Sequence, residues 1–205
     1  FEAVREGKIK AIWIMATNPA VSLPEADRVV AALKQCEFVV VSDVTRHTDT
    51  AQIAHVLLPA AAWGEKDGTV TNSERRISRQ RAFLPLPGEA RPDWWIVTEV
   101  ARRMGHAAAF DYDGPAAIFR EHAALSGFEN NGRRAFDLGA LAGMDATGYD
   151  AMAPVQWPVR QSGHGTPRLF AQGHYPTASG RARMIARMPR GPARATSAAQ
   201  PFVFN

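Results

Sequence analysis

A chain of 205 residues with 46% hydrophobic side chains can bury a sizeable core, and its 24 basic and 20 acidic groups are too balanced for a mostly disordered polypeptide. A single cysteine, Cys36, excludes an intramolecular disulfide framework and any all-cysteine metal or iron–sulfur site built from this chain alone. The net charge of +4 is split: residues 1–150 hold 17 basic and 20 acidic groups (−3), while residues 151–205 hold seven arginines and no acid (+7).

The opening FEAVREGKIKA is too charged for a secretion signal, and no apolar run approaches the ~20 residues that span a bilayer. A cytoplasmic location is therefore expected, with no membrane contact. The first residue is not methionine, which suggests a processed chain or an excised piece. Residues 9–15 (IKAIWIM) form a short apolar run of the kind that makes a strand buried on both faces. Pro24 and Glu25 then open a helix with apolar positions at Val29, Val30 and Leu33. A second strand is expected over 38–41 (FVVV), ending in Ser42-Asp43. A short helix over about 49–54 leads to a third strand at 56–58. Further helices are expected over 92–104, with Pro near the start and Gly105 beyond the end, and over 114–126, stopped at Gly127.

Strand, helix, strand, short helix, strand with brief connections predicts an α/β fold: a three-layer, Rossmann-like parallel sheet with helices on both faces. Its expected extent is residues 1–150. Residues 151–205, with 7 of the 14 prolines, read as an irregular Pro/Gly/Arg-rich extension. Within that extension, Arg181, Arg183, Met184 and Ile185 of the SGRARMIA run suggest one short strand.

Ligands of open parallel sheets bind beyond the carboxyl ends of the strands. Three polar loops fall at such ends: Thr17-Asn18, Ser42-Asp43 and residues 63–76 (WGEKDGTVTNSERR). Each also has a purely structural reading, as a turn, an Asx turn or a helix cap. Neither GxGxxG nor GxxxxGK[ST] occurs, which disfavours ordinary dinucleotide or P-loop binding. Recognition would instead fall to side chains. An acid at a strand end suits a guanine, because its two oxygens accept from N1–H and the exocyclic amine together, and Lys66 suits a phosphate. The six histidines show no metal-ligand spacing, and no G-x-S-x-G elbow supports a serine nucleophile.

The runs IWIMATNPAVSLPEADRV and FVVVSDVTRHTDTAQIAHVLLPAAAWGEKDGTVTNSERRISRQRAFLPLPGEARPDWW, with PAAIFREHAALSGFENNGRRAFDLGAL and GYDAMAPVQWPV further on, resemble the catalytic subunits of molybdopterin oxidoreductases. They resemble the cytoplasmic assimilatory nitrate reductases more than the periplasmic nitrate reductases or the formate dehydrogenases. The resemblance covers nearly the whole chain. It implies an internal segment of a longer enzyme that reduces nitrate to nitrite by oxygen-atom transfer. In that enzyme molybdenum is held by two molybdopterin guanine dinucleotides (bis-MGD), and this segment is the second of two related α/β domains, each holding one dinucleotide tail. The matching motifs assign cofactor contacts to Asn18 of the NP loop, to Ser42 and Asp43 with Asp43 as guanine acceptor, to Lys66 of the WGEK run, and to Asp93 of the GEARPD run. Without the resemblance, Asp93 reads as a first-turn helix acid.

The family's 4Fe–4S cysteines and metal ligand are expected outside this chain. No catalytic or metal-binding residue is assigned within it, and the isolated segment is expected to be inactive. The chain stops at PFVFN, where the following domain's first strand is expected, so residues 151–205 read as a connector and the partners as the other domains of the parent enzyme. Cys36 reads as a small core residue. Of Trp94 and Trp95, one is expected in the core and one at the rim. Arg75 and Arg76 either line the approach of an anion or pair with Glu65, Glu74 or Asp67. A stand-alone guanine-nucleotide or partner-binding module is the alternative reading. A nucleic-acid-binding role is disfavoured, since no helix-turn-helix, RNP or zinc-finger pattern accompanies the basic tail.

Overall fold

The computed structural model describes residues 1–160, 163–191 and 195–203. After a short helix α1 (Glu2–Arg5), β1 (Ala11–Met15) leads through α2 (Pro19–Ser22) and α3 (Ala26–Gln35) into β2 (Phe38–Asp43). A 3-10 turn at Ala51–Ile53 then connects to β3 (Val56–Pro59). The three strands form one parallel sheet in the order β1-β2-β3. Its register stacks Trp13 beside Val40 and Val56, and Met15 beside Ser42 and Leu58.

Strand alternation sends Ile12, Ile14, Val39, Val41 and Leu57 to one face. There they meet the α3 stripe Val29, Ala32 and Leu33, whose i, i+3, i+4 spacing is that of one helix face, together with Val4 of α1. Cys36 closes this core, its thiol directed at the carbonyls of Lys10 (3.4 Å) and Phe38 (3.6 Å).

The rest of the architecture departs from a single three-layer parallel sheet. The stretch read as a polar loop, residues 63–76, contains β4 (Gly68–Thr71), and β5 (Arg76–Gln80) starts at its end; the two form an antiparallel pair extended by β6 (Val155–Gln156) on the other edge of β5. β-branched Thr69, Val70, Thr71 and Ile77 favour strand. The Asn72 side-chain oxygen accepts from the backbone N–H of Glu74 (3.1 Å) and Arg76 (3.0 Å), and this Asx turn reverses the chain. The fold is therefore α/β with one parallel and one antiparallel sheet.

α4 (Asp93–Ala101) runs into a π turn, Arg102–His106, broken where Gly105 adopts φ 91°. α5 (Pro115–Gly127) matches the helix expected over 114–126 within one residue at each end, and starts on a proline at its first position. It packs Phe119 and Ala123 against Ile77 of β5, Leu138, Val159, and Tyr149 of α6 (Ala146–Asp150), forming a second core. Neither Trp94 nor Trp95 enters a core: Trp94 is half-buried, and Trp95 is exposed with Arg91 over its ring at 5.7 Å.

The chain divides into two compact units, Phe1–Pro167 and Arg168–Asn205. The strand expected around 181–185 does not form; among the described residues of the second unit only an isolated bridge, Ser197 with Gln200, is present. An alternating pattern makes a strand only where another strand accepts its hydrogen bonds. Arg194 and the last two residues of PFVFN lie outside the described residues. Among the described residues no helix is long and apolar enough to cross a membrane.

Candidate functional site

The carboxyl edge of the parallel sheet gathers the first three sequence-assigned residues. β1 ends at Met15, Ala16 turns with φ 54°, and its N–H donates to the Ser42 carbonyl (3.1 Å). Asn18 follows at the start of α2. Its side-chain oxygen accepts from the Thr50 hydroxyl (2.7 Å) and backbone N–H (3.2 Å), and the same hydroxyl accepts from the Ala20 N–H (3.1 Å). Thr50 is buried, so the NP loop is bolted to the segment after β2. With its oxygen so engaged, Asn18 has its amide N–H groups to offer a ligand.

Ser42 is buried on the last turn of β2, where its hydroxyl accepts from Trp13 Nε1 (2.8 Å). It supports the strand end from behind. Asp43, half-buried, projects beyond it: Oδ1 accepts from the Val44 N–H (2.7 Å) and Oδ2 from the Thr48 hydroxyl (3.1 Å). Each oxygen keeps acceptor capacity after these bonds, and together they fix the plane of the carboxylate.

Lys66 and Asp93 form a second group. Residues beyond β3 pair once more: Ala60 bridges Arg91 in parallel, with Arg91 N–H on Pro59 O (3.1 Å) and Ala61 N–H on Arg91 O (2.9 Å). This stub brings the start of α4, and so Asp93, to the carboxyl edge of the sheet. Lys66 Nζ donates to Asp93 Oδ2 at 2.8 Å, with both side chains about one-third exposed. Asp93 also lies in the first turn of α4, where a negative charge complements the helix dipole. The pair opens on a cleft of about 310 Å3 whose walls include Asp67, Trp94, His122 and Tyr149.

The residues that support this region had no local signal. Arg79, on β5, is buried to 3% exposure. Its guanidinium donates to both oxygens of Asp67 (2.6 and 3.2 Å), to Asp150 (3.2 Å) and to the carbonyls of Gly68 (2.6 Å) and Gln80 (2.9 Å), and lies 4.2 Å from the centre of the Tyr149 ring. Burial pushes the Tyr149 phenol above its ordinary range, with the Arg79 charge opposing. Gln80 Nε2 reaches the carbonyls of Trp63 (2.6 Å) and Lys66 (3.3 Å), so the hairpin sets the position of Lys66.

Thr48 and Thr50, in the HTDT run, are likewise positioning groups that a polar run after a strand end could have flagged. Arg76 pairs with Glu74 (3.0 Å), as one option had it. Arg75 instead donates to the carbonyls of Trp157, Thr166 (3.2 Å) and Pro167 (3.0 Å) and covers the Trp157 ring, so it serves the fold. Among the described residues no three His, Cys, Asp or Glu side chains come together as a metal site.

Residues 1–103 match the family model for molybdopterin oxidoreductases. The chain is 50% identical over 205 residues to a nitrate reductase of Klebsiella oxytoca, covering all of this chain and 23% of that protein. It is 50% identical over 190 residues to a nitrate reductase of Shewanella frigidimarina, covering 90% of this chain and 20% of that protein. It thus spans between a fifth and a quarter of the length of these curated relatives. The solved structure of acetylene hydratase from Pelobacter acetylenicus superposes with a TM-score of 0.60 at 20% identity, over 88% of this chain and 22% of that one, and shows a shared fold.

Proposed function

The chain belongs to the molybdopterin oxidoreductase family, and from that premise we propose that it holds the guanosine end of one molybdopterin guanine dinucleotide in a nitrate reductase catalytic subunit. The observation that carries this reading is the Asp43 carboxylate, held in a fixed plane at the carboxyl edge of a parallel sheet with acceptor capacity left on both oxygens. A guanine offers N1–H and an exocyclic amine side by side, which is the donor pair such a carboxylate matches. Asn18 adds amide donors on the neighbouring strand end, Ser42 holds the end of β2, and Lys66 with Asp93 supplies a cation for phosphate and an acceptor for a ribose hydroxyl.

These residues fit the nucleotide end of the cofactor and not its metal. The complete subunit is read as a cytoplasmic assimilatory enzyme carrying molybdenum bis-MGD and a 4Fe–4S cluster outside residues 1–205. When bound there, the molybdenum centre would supply oxygen-atom transfer from nitrate, giving nitrite. This chain's own part is to bind, orient and anchor. Alone, it is expected to turn over no nitrate with reduced viologen.

The test is Asp43→Asn in the full-length subunit. Asn keeps an oxygen for Val44 but places an amine where guanine needs an acceptor. Two charge-assisted hydrogen bonds are worth about 3 kcal/mol together, or roughly 100-fold in affinity. GMP binding to the cofactor-free protein should weaken by that factor and molybdenum content should fall; unchanged values for both would end the assignment.

A further inference from the structure

A hydroxyl has one proton to give, and what its oxygen accepts settles where that proton points. Thr48 and Thr50 lie in the segment that leads from β2 into the 3-10 turn Ala51–Ile53. The Thr48 oxygen accepts from the Ala51 N–H (3.2 Å), and its proton goes to Asp43 Oδ2 (3.1 Å). The Thr50 oxygen accepts from the Ala20 N–H (3.1 Å), and its proton goes to Asn18 Oδ1 (2.7 Å), where the Thr50 backbone N–H also donates (3.2 Å). An Asn18 amide turned the other way would set its own NH2 against those two donors, so the network holds the NH2 outward. Turn capping explains only half of this arrangement. Closing the 3-10 turn needs an acceptor at residue 48, which Asp would supply as well as Thr. The proton aimed at Asp43 is an additional feature. The segment itself is braced, since the Gln52 side-chain amide donates to the Arg46 carbonyl (2.5 Å) and the Gln52 N–H to the Thr48 carbonyl (3.0 Å).

We propose that Thr48 and Thr50 are positioning residues with separate tasks in nucleotide recognition: Thr48 sets base selectivity through the plane of Asp43, and Thr50 sets affinity through the outward donors of Asn18. They take these tasks only if Asp43 and Asn18 meet the guanosine end of the cofactor, the reading on which this step rests. A carboxylate takes N1–H and the exocyclic amine of a guanine together only when its two oxygens lie in the plane of the base. Released from Thr48, Asp43 keeps its bond to the Val44 N–H through Oδ1 and can rotate about it, so one of the two base contacts is lost. The Asn18 donors face an acceptor atom. IMP carries the same carbonyl, ring-nitrogen and phosphate acceptors as GMP and lacks only the exocyclic amine, so the two nucleotides tell the two tasks apart.

The experiment is calorimetric titration of the cofactor-free full-length subunit with GMP and with IMP. Thr48→Val should weaken GMP about tenfold, the worth of one charge-assisted hydrogen bond, and leave IMP nearly unchanged, so the preference for GMP narrows. Thr50→Val should weaken both nucleotides by a similar factor and leave the preference as it was. Thr48→Ser and Thr50→Ser keep the hydroxyl and should bind as the native protein does; a role confined to packing would show the reverse order, since Val keeps the methyl group and Ser does not. Thr48 is half-buried, so its variants carry the test even where Thr50→Val, at a fully buried position, disrupts the fold. An unchanged GMP preference in Thr48→Val, or Ser variants as weak as the Val variants, would overturn the proposal. Failure of the guanosine reading looks different: the native subunit then binds GMP no better than IMP, or Asp43→Asn binds GMP as tightly as the native protein, and both assignments end.

Discussion

Replacing Arg79 by Met tests whether the antiparallel hairpin is held by one buried cation. Breaking a buried ion pair costs about 3–5 kcal/mol when the remaining charge stays dry. Here Asp67 and Asp150 are both exposed enough to rehydrate once the guanidinium is gone, which removes much of that penalty. The carbonyls of Gly68 and Gln80 lose a charged donor, at about 1 kcal/mol each, and the Tyr149 ring loses a cation contact worth about another 1 kcal/mol. Arg79 Nε is buried without a hydrogen-bond partner, so its removal gives a little back. The balance is a loss of about 3 kcal/mol. With a urea slope of about 2 kcal/mol/M the unfolding midpoint should fall by about 1.5 M. Arg79→Lys keeps the charge but not the fork, and should lose about half as much. Equilibrium urea unfolding followed by far-UV circular dichroism checks both. A loss within about 0.5 kcal/mol for Arg79→Met would refute the idea that this cation organises the hairpin.

Leu33→Ala empties a fully buried position between α3 and the parallel sheet, and should cost about 2–5 kcal/mol by the same unfolding measurement; a loss below about 1 kcal/mol would contradict the assigned core. Lys66→Ala removes a pair that is one-third exposed, so stability should change by less than about 1 kcal/mol while GMP binding to the cofactor-free subunit weakens; an equal effect on both would make Lys66 structural. The native thiol of Cys36 should be inert to dithionitrobenzoate and react fully on unfolding. Tyr149 has a folded pKa raised by burial, so its neutral form stabilises the fold below the unfolded value of about 10, and that contribution is lost as pH rises through the higher folded value. The stability gap between the native chain and Tyr149→Phe should therefore narrow as pH rises past the unfolded value of about 10; a gap that widens would reverse the sign.

The elements legible in the sequence are those whose signal is local. IKAIWIM and FVVV are strands because their apolar runs are too short for a helix and end in turn residues. α5 is legible because Gly127 marks its end. The hairpin is hidden because Arg79 looks like a solvent-facing charge, and it becomes an interior residue through Asp67 twelve residues back, Asp150 71 residues on, and the Tyr149 ring. The Arg181–Ile185 alternation failed in the opposite sense, since its pattern is local and no partner strand for it is present among the described residues.

The same division runs through the candidate site. A residue at a strand end is placed by the strand itself, so Asn18, Ser42 and Asp43 could be named from periodicity and turn residues. What each can do depends on groups that periodicity does not reveal: Thr50 takes the Asn18 oxygen, Trp13 takes the Ser42 hydroxyl, and Val44 and Thr48 set the Asp43 plane. Of the five named polar residues, Ser42 is spent on the fold, the Asn18 oxygen is taken by Thr50, and Lys66 and Asp93 are paired with each other, which leaves Asp43 the one with both a fixed orientation and two acceptors still in hand. That is why a single atom-for-atom change at Asp43, carboxylate to amide, is the change that would separate the proposed recognition of a guanine from support of the strand that carries it.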